Sequence, residues 1–213
     1  MTRWQLLSAV KARRRSGGPQ RGIVAVVATR LSVVRMLADP QRSRVVLVNP
    51  ARALSLGATG ERPARAAERL ELLSACREWL AVPTFAIGEY DSDAMPGTFS
   101  AGVCHLGGQA LDLWSDTQFT SDLEASAGHC IFLGGFWLDE DVLILALEGV
   151  WLGYDTRLLL DLSWPRQDGD LFLAIQRLML HGVIPTNVRQ MLLEWAVHTG
   201  NRDLRDKVVR LLG

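Results

Sequence analysis

Short runs of apolar residues alternate along this chain with longer segments of helical periodicity. Residues 44–49 (RVVLVN) form a continuous apolar run that ends at Pro50, which is typical of a strand buried on both faces. Runs of similar length recur further along. The predicted strands are residues 44–49, 82–89, 129–137, 156–162 and 183–186.

Helical periodicity fills the intervals between these runs. Ala66, Leu70 and Leu73 recur at helical spacing after Pro63, which suits the first turn of a helix. Gly153 is expected to end a second, largely apolar helix, because glycine readily adopts the left-handed conformation at a helix end. The predicted helices are residues 63–80, 139–152, 171–181 and 187–198, and the glycine-rich residues 91–108 are predicted as a long loop.

Apolar strands that alternate with helices of this length predict parallel strands joined by crossovers. The expected fold class is α/β, a three-layer αβα sandwich with a mainly parallel sheet. The predicted organisation has three parts. They are a basic N-terminal extension at residues 1–43, with an amphipathic helix at 4–15, an α/β domain at residues 44–200, and a C-terminal helical tail at residues 201–213.

Composition agrees with a globular protein that functions in water. Of the 213 residues, 48% are apolar and 22% charged, and no apolar run is long enough to predict a membrane span. Near the N-terminus the basic cluster follows the apolar residues, the reverse of a secretory signal. Three cysteines, an odd number, fit a reducing compartment, so a cytoplasmic location is predicted.

Two adjacent Cys–His pairs raise the alternative of a zinc site. Cys104 precedes His105, and His129 precedes Cys130. Neighbouring residues on a strand point to opposite faces, so each pair would need a turn to bind one ion. Buried thiols and ordinary histidines are the favoured interpretation, and neither a metal nor another cofactor is predicted.

The net charge of zero conceals an asymmetry along the chain. Residues 1–70 hold 14 Lys and Arg against 3 Asp and Glu, and residues 71–213 hold 9 against 20. A folded surface on which the two halves interleave is the favoured interpretation. The alternatives are a protein partner that binds residues 1–43, and an anionic or nucleic-acid partner of the basic region. Nucleic acid is disfavoured because no aromatic interleaving or binding motif accompanies the charge.

Polar residues follow several of the predicted strands, where parallel α/β sheets place their ligands. Asn49 and Glu89 end two strands, and Asp139, Glu140 and Asp141 follow a third. Acids in the first turn of a helix stabilise its positive end by roughly 0.3–1 kcal/mol each, which explains them without chemistry. Successive helical residues also point about 100° apart, so the three carboxylates are not expected to converge on one metal ion.

Residues 134–163, which contain the three acids, resemble a segment of the isochorismatase-like cysteine hydrolases. In that family it reads roughly G-x-x-T-D-x-C, a helix, G-Y, and a strand ending in Asp. Residues 174–196 resemble a branch of the family with A-x-x-R-M-x-x-A-G followed by a P-x-T-like strand and a helix, and residues 44–49 resemble its first strand. The resemblance covers about residues 44–200. The matching positions in the first segment are Gly135, Asp139, Gly153, Tyr154 and Asp161.

The resemblance implies a three-layer α/β fold, frequent homo-oligomers, and hydrolysis of amides, imides or enol ethers. The family's catalytic triad is an Asp after the first strand, a mid-chain Lys, and a Cys on the turn before the quoted helix. The thiolate is the nucleophile, the carboxylate moves its proton, and the ammonium lowers the thiol pKa. In the family, the turn after the matching Gly also carries a cis peptide bond and an oxyanion pocket.

This sequence departs from the triad at every member. The Asp aligns with Asn49 and the Cys with Asp141, and no lysine lies near Leu113 or Trp114, where the family has one. The two lysines of the whole chain are Lys11 and Lys207. The aromatic pair Phe136 and Trp137 occupies the turn of the oxyanion pocket and is expected to fill it.

The favoured hypothesis is a non-catalytic isochorismatase-like protein that acts in binding or assembly as a homo-oligomer. The alternative is an enzyme with a rebuilt site, a hydrolase of amide-like bonds that uses either Asp141, or Cys104 with His105 or His129. No catalytic residue is assigned; Asn49, Trp114 and Asp141 stand at the degenerate triad positions. The ligand-pocket candidates are Asn49, Glu89, Trp114, Phe136, Trp137 and Asp141.

Overall fold

The computed structural model describes residues 37–52 and 61–213. Most of the predicted extension at residues 1–43, with its helix at 4–15, lies outside the described residues, and so do residues 53–60. Among the helices of the described part, none has the length and apolar content needed to cross a bilayer.

A six-stranded parallel sheet forms the centre of the structure, in the order β3-β2-β1-β4-β5-β6. Every strand pair is parallel, so the predicted fold class is confirmed, with a sheet that is wholly rather than mainly parallel. The strands are β1 (Ser43–Val48), β2 (Thr84–Ile87), β3 (Val103–Leu106), β4 (Cys130–Phe136), β5 (Asp155–Trp164) and β6 (Ile184–Thr186).

Helices cover both faces of the sheet. One layer holds α1 (Glu61–Leu80), the single turn α2 (Gly97–Ser100), α6 (Val188–His198) and α7 (Arg202–Leu212). The other holds a 3-10 helix (Ala110–Ser115), α3 (Thr117–Ala125), α4 (Leu143–Leu152) and α5 (Leu171–Leu180). The helix α7 lies within the predicted C-terminal tail, and its buried residues Val208 and Leu212 join the core of the first layer.

The central strand β1 is buried along its whole length, as its continuous apolar run predicts. Val45 and Leu47 pack against the first helical layer, and Val46 and Val48 against the second. Each of these side chains, fully buried, contributes roughly 1.5–3 kcal/mol of hydrophobic stabilisation. This packing holds the carboxyl end of β1, and therefore Asn49, in the middle of the sheet edge.

The prediction of one long loop at residues 91–108 is wrong. The segment contains α2 and the edge strand β3, which pairs with β2 from Val103 to Leu106. Only Leu106 of this strand is fully buried, so it lacks the continuous apolar run that identified the other strands. Glycines on both sides of the strand gave the segment the composition of a loop.

Candidate functional site at the carboxyl ends of the strands

Asn49 follows the last residue of β1 and is buried, with only 2% of its surface exposed. Its φ of 48° lies in the left-handed region, which asparagine tolerates better than most residues. Its Nδ2 donates to the carbonyl oxygen of Phe136 and to Oδ2 of Asp141, both at 2.7 Å. Its Oδ1 accepts the Glu89 amide N–H at 2.9 Å. Both ends of the carboxamide are therefore engaged.

Two glycines allow this close packing. A Cβ on Gly88 would lie 2.1 Å from Oδ1 of Asn49, and a Cβ on Gly135 would lie 2.0 Å from the carbonyl oxygen of Val48. Both residues also have positive φ, 81° and 138°, which favours glycine. The glycines therefore let β2 and β4 approach the end of β1 and surround Asn49.

Arg52 links the carboxylates on either side of Asn49. Its guanidinium lies 2.5 Å from Oε1 of Glu89 and 3.7 Å from Oδ2 of Asp141. The hydrogen bond from Arg52 lowers the pKa of Glu89, and the same bond raises the pKa of Arg52. About a fifth of the Arg52 and Asp141 side chains and over half of the Glu89 side chain remain exposed. The site is thus a charge-paired cluster open to solvent on one side.

Aromatic rings occupy the adjoining turn. The peptide bond between Phe136 and Trp137 is cis, as the resemblance implied. The buried Phe136 ring stacks on Trp164, with ring centroids 5.1 Å apart. Trp137 lies beneath the guanidinium groups of Arg52 and Arg166, whose central carbons are 5.7 Å and 5.5 Å from its ring centroid. These contacts fill the turn with side chains.

The three consecutive acids diverge, as helical geometry predicts. Oδ1 of Asp139 accepts the Arg166 amide N–H at 2.8 Å, and Glu140 pairs with the Arg166 side chain at 3.1 Å. Asp141 points instead to Asn49. In residues 37–52 and 61–213, moreover, no three His, Cys, Asp or Glu side chains are grouped so that they could hold a metal ion.

Trp114 differs from the other pocket candidates. It lies in the second helical layer, where its Nε1 donates to the carbonyl oxygen of Leu145 at 3.1 Å and its ring stacks on Tyr154 at 5.2 Å. Phe136 and Trp137 pack with the first layer instead. The structure thus brings together five of the six candidates and places Trp114 on the opposite face of the sheet.

The two cysteines of the zinc and nucleophile hypotheses lie in unrelated surroundings. Cys104 lies on β3 and accepts a hydrogen bond from Gln118 at 2.9 Å, whereas Cys130 starts β4, and β2 and β1 separate these strands. Burial, together with the charges of Asp116 and Asp122, raises the pKa of Cys104. Burial and Asp155 raise the pKa of Cys130 more strongly. Neither site favours a thiolate.

Of the two lysines, only Lys207 lies in the described residues. Its Nζ is 3.8 Å from the ring centroid of Trp79, on the packed surface of α7 and α1. Sequence reasoning missed the two cations that the site does contain, Arg52 and Arg166. Their positions in the sequence could have identified them, because each arginine lies within four residues of the carboxyl end of a strand.

Comparison with known proteins identifies the fold. Neither a scan of the sequence against models of protein families nor a search of curated proteins gives a match. Solved structures do match. MAR1 ribonuclease from Caenorhabditis elegans is 15% identical with a TM-score of 0.64, and covers 82% of this chain and 91% of its own.

Two further structures have similar scores. The YcaC gene product from Escherichia coli, an octameric hydrolase of unknown specificity, is 14% identical with a TM-score of 0.63, and covers 81% of this chain and 88% of its own. A cysteine hydrolase from Pseudomonas syringae is 12% identical with a TM-score of 0.62, and the match covers 76% of this chain and 96% of the hydrolase. The chain therefore has the fold of the isochorismatase-like cysteine hydrolases, as its motifs indicated.

Proposed function

We propose that this chain is a non-catalytic protein with the isochorismatase-like fold, and that it acts in binding or assembly as a homo-oligomer. The observation that carries the proposal is the hydrogen bonding of Asn49. A carboxamide neither gains nor loses a proton at neutral pH and so cannot act as a general base, and both ends of this one are engaged by Phe136, Asp141 and Glu89. A base at the end of β1 is therefore replaced by a structural hydrogen-bonding group.

The surroundings of Asp141 support the same proposal. By the sequence resemblance, this residue occupies the place of the family's nucleophilic cysteine. One of its oxygens is held by Asn49 at 2.7 Å and lies 3.7 Å from Arg52. Both interactions engage Oδ2, so this oxygen would have to give them up to attack a substrate. The only lysine in the described residues, Lys207, lies in the layer of α1 and α7.

Three further parts of the proposal concern partners and location. Assembly is supported by the similarity to the octameric YcaC gene product. Binding of a second protein through residues 1–43 is supported by their excess of basic over acidic residues. A cytoplasmic location is supported by the few cysteines, of which Cys104 and Cys130 are free thiols.

The test is a search for turnover on a panel of amides, imides and enol ethers. The expected result is that hydrolysis by the wild-type protein does not exceed that by Asp141→Asn or Cys104→Ser. Asp139→Asn is the matched control, because the Asp139 carboxylate lies in the same turn but accepts the Arg166 amide N–H instead of contacting Asn49. Turnover that survives in Asp139→Asn and is lost in Asp141→Asn would establish the rebuilt hydrolase instead. Loss confined to Cys104→Ser would assign the thiol.

A further inference from the structure

The helices α4 and α5 present large apolar side chains to solvent. Trp151 is 82% exposed, Leu180 84%, and Phe172 and Leu173 65% each. Surface helices of this kind usually carry polar residues on their outer side. The apolar face comprises Ile144, Trp151, Leu152, Phe172, Leu173, Met179 and Leu180.

The two helices form one continuous surface. Both cross between successive parallel strands, so both run in the same direction along the sheet. A Cβ on Gly182, just after α5, would lie 3.9 Å from Val150 of α4, so their C-terminal ends are adjacent. Trp151 and Leu180 occupy those ends, and Phe172 lies at the start of α5.

The size of this face fits a stable protein interface. With full areas of roughly 150–250 Å² for side chains of this size, the exposed parts of its seven residues amount to about 900 Å². The largest apolar patch of a typical monomer covers roughly 300–600 Å², and each partner in a standard interface buries about 800 Å². The face is therefore larger than a monomer normally exposes.

Charge on the same face indicates what covers it. Glu148 on α4 and Arg177 on α5 are both exposed, and neither forms an ion pair within the part of the chain that the structure describes. They are the sixth residue of α4 and the seventh of α5, so each lies in the middle part of its helix, and the two helices run in the same direction. One face thus carries an opposite charge on each of its two helices, which is a self-complementary pattern.

We infer that the apolar face of α4 and α5 is an isologous interface with a second copy of this chain. The inference rests on the assembly part of the proposed function and deepens it. The charges select one arrangement, with the two-fold axis parallel to the helices. That axis lays α4 on α5 of the second copy and sets Glu148 against the opposite Arg177 twice. A two-fold axis perpendicular to the helices would instead lay α4 on α4 and α5 on α5, and would set Glu148 against Glu148 and Arg177 against Arg177.

The experiment measures the mass of the full chain by sedimentation over a range of micromolar concentrations. Trp151→Glu is expected to raise the dissociation constant roughly 30-fold or more, because it places a charge at a buried anchor. Trp151 is almost fully exposed in one copy, so the fold is expected to survive, which circular dichroism checks. Val197→Glu is the control, because Val197 is 51% exposed on α6 in the opposite layer. The assembly formed by this variant is expected to have the same mass as that of the wild type.

A charge-reversal series tests the arrangement independently. Glu148→Arg and Arg177→Glu are each expected to weaken association about fivefold, and the double variant to recover it. A monomeric wild-type chain would overturn both this inference and the homo-oligomer proposal, and would leave the face to another protein or to a lipid surface. A wild-type oligomer whose mass Trp151→Glu does not change would overturn this inference alone. A double variant as weak as the single ones would overturn the arrangement.

Discussion

At the amino ends of the strands Arg157 is almost fully buried, with 3% of its side chain exposed, whereas Arg52 at the carboxyl ends keeps 22%. Arg157 on β5 bonds to Asp155 and Glu194, and Glu194 also accepts the Ala38 amide N–H. Both regions join one arginine to two carboxylates. The difference lies in solvent access: the arginine of the amino-end cluster is buried, whereas that of the carboxyl-end cluster is partly exposed to solvent.

Burial raises the energetic consequence of breaking such a cluster. A charged group left without its partner in the interior cannot be rehydrated, whereas at the surface water takes the place of the lost partner. The amino-end network also connects α6 to β5 and to the chain before β1, so it ties distant segments together. The carboxyl-end cluster joins residues already held by neighbouring strands.

The largest expected effect is at the amino end. Arg157→Ala removes a buried guanidinium that pairs with Asp155 and Glu194 and packs on the Phe132 ring, and is expected to lower the free energy of unfolding by about 3–5 kcal/mol. Arg166→Ala is the matched control, because Arg166 is 57% exposed and pairs with Glu140, and it is expected to cost less than about 1 kcal/mol. Urea denaturation of both variants measures the difference. Equal losses would contradict the distinction between the two regions.

An intermediate effect is expected at Asn49. Asn49→Asp replaces the donor to Asp141 and to the Phe136 carbonyl with a second carboxylate, and is expected to cost about 2–3 kcal/mol at neutral pH. Two carboxylates this close repel each other, so folding of the variant is expected to favour the state in which the pair shares one proton. Stability is therefore retained at low pH and lost as the pH rises, so the deficit relative to wild type grows between pH 4 and 7.

The control for this change is Asn201→Asp. Asn201 caps α7 by accepting the Leu204 amide N–H, so a carboxylate can replace its oxygen without losing a donor. Urea denaturation at several pH values compares the two variants with wild type. A deficit at Asn49→Asp that does not change with pH would argue against repulsion between two carboxylates.

The smallest expected effect concerns Asp161, whose side chain is 23% exposed. It accepts the Val188 amide N–H at 3.0 Å and pairs with Arg69 at 3.1 Å, and burial raises its pKa above the usual value. A carboxyl with a raised folded pKa stabilises the fold below its unfolded pKa, and this contribution is lost as the pH rises through the folded pKa.

Asp161→Asn removes that titration and is therefore expected to gain stability relative to wild type as the pH rises from 4 towards neutrality. Unfolding free energies measured across this range give the trend. Asp206→Asn is the control, because Asp206 is half exposed on α7 and its only described ion pair is with the adjacent Arg205. A relative stability of Asp161→Asn that falls as the pH rises would show that the ion pair with Arg69 outweighs burial.

The sequence by itself determined the fold class and the end of the sheet at which the candidate residues lie. Buried parallel strands need continuous apolar runs, and β1 and β4 have them, so their positions and their polar ends were predictable from local pattern. The edge strand β3 has no such run, because little of it is buried, and only its pairing with β2 identified it as a strand.

Tertiary structure alone decided which polar residues meet. Glu89 and Asp141 are separated from Asn49 by 40 and 92 positions along the chain, so their hydrogen bonds depend on strand order and on glycines that permit close approach. The same holds for Trp114, which the layer arrangement places on the other face of the sheet. Hydrophobic periodicity along the sequence indicates which side of a helix or strand is buried. Which side chains of different strands come into contact depends on the order of the strands in the sheet.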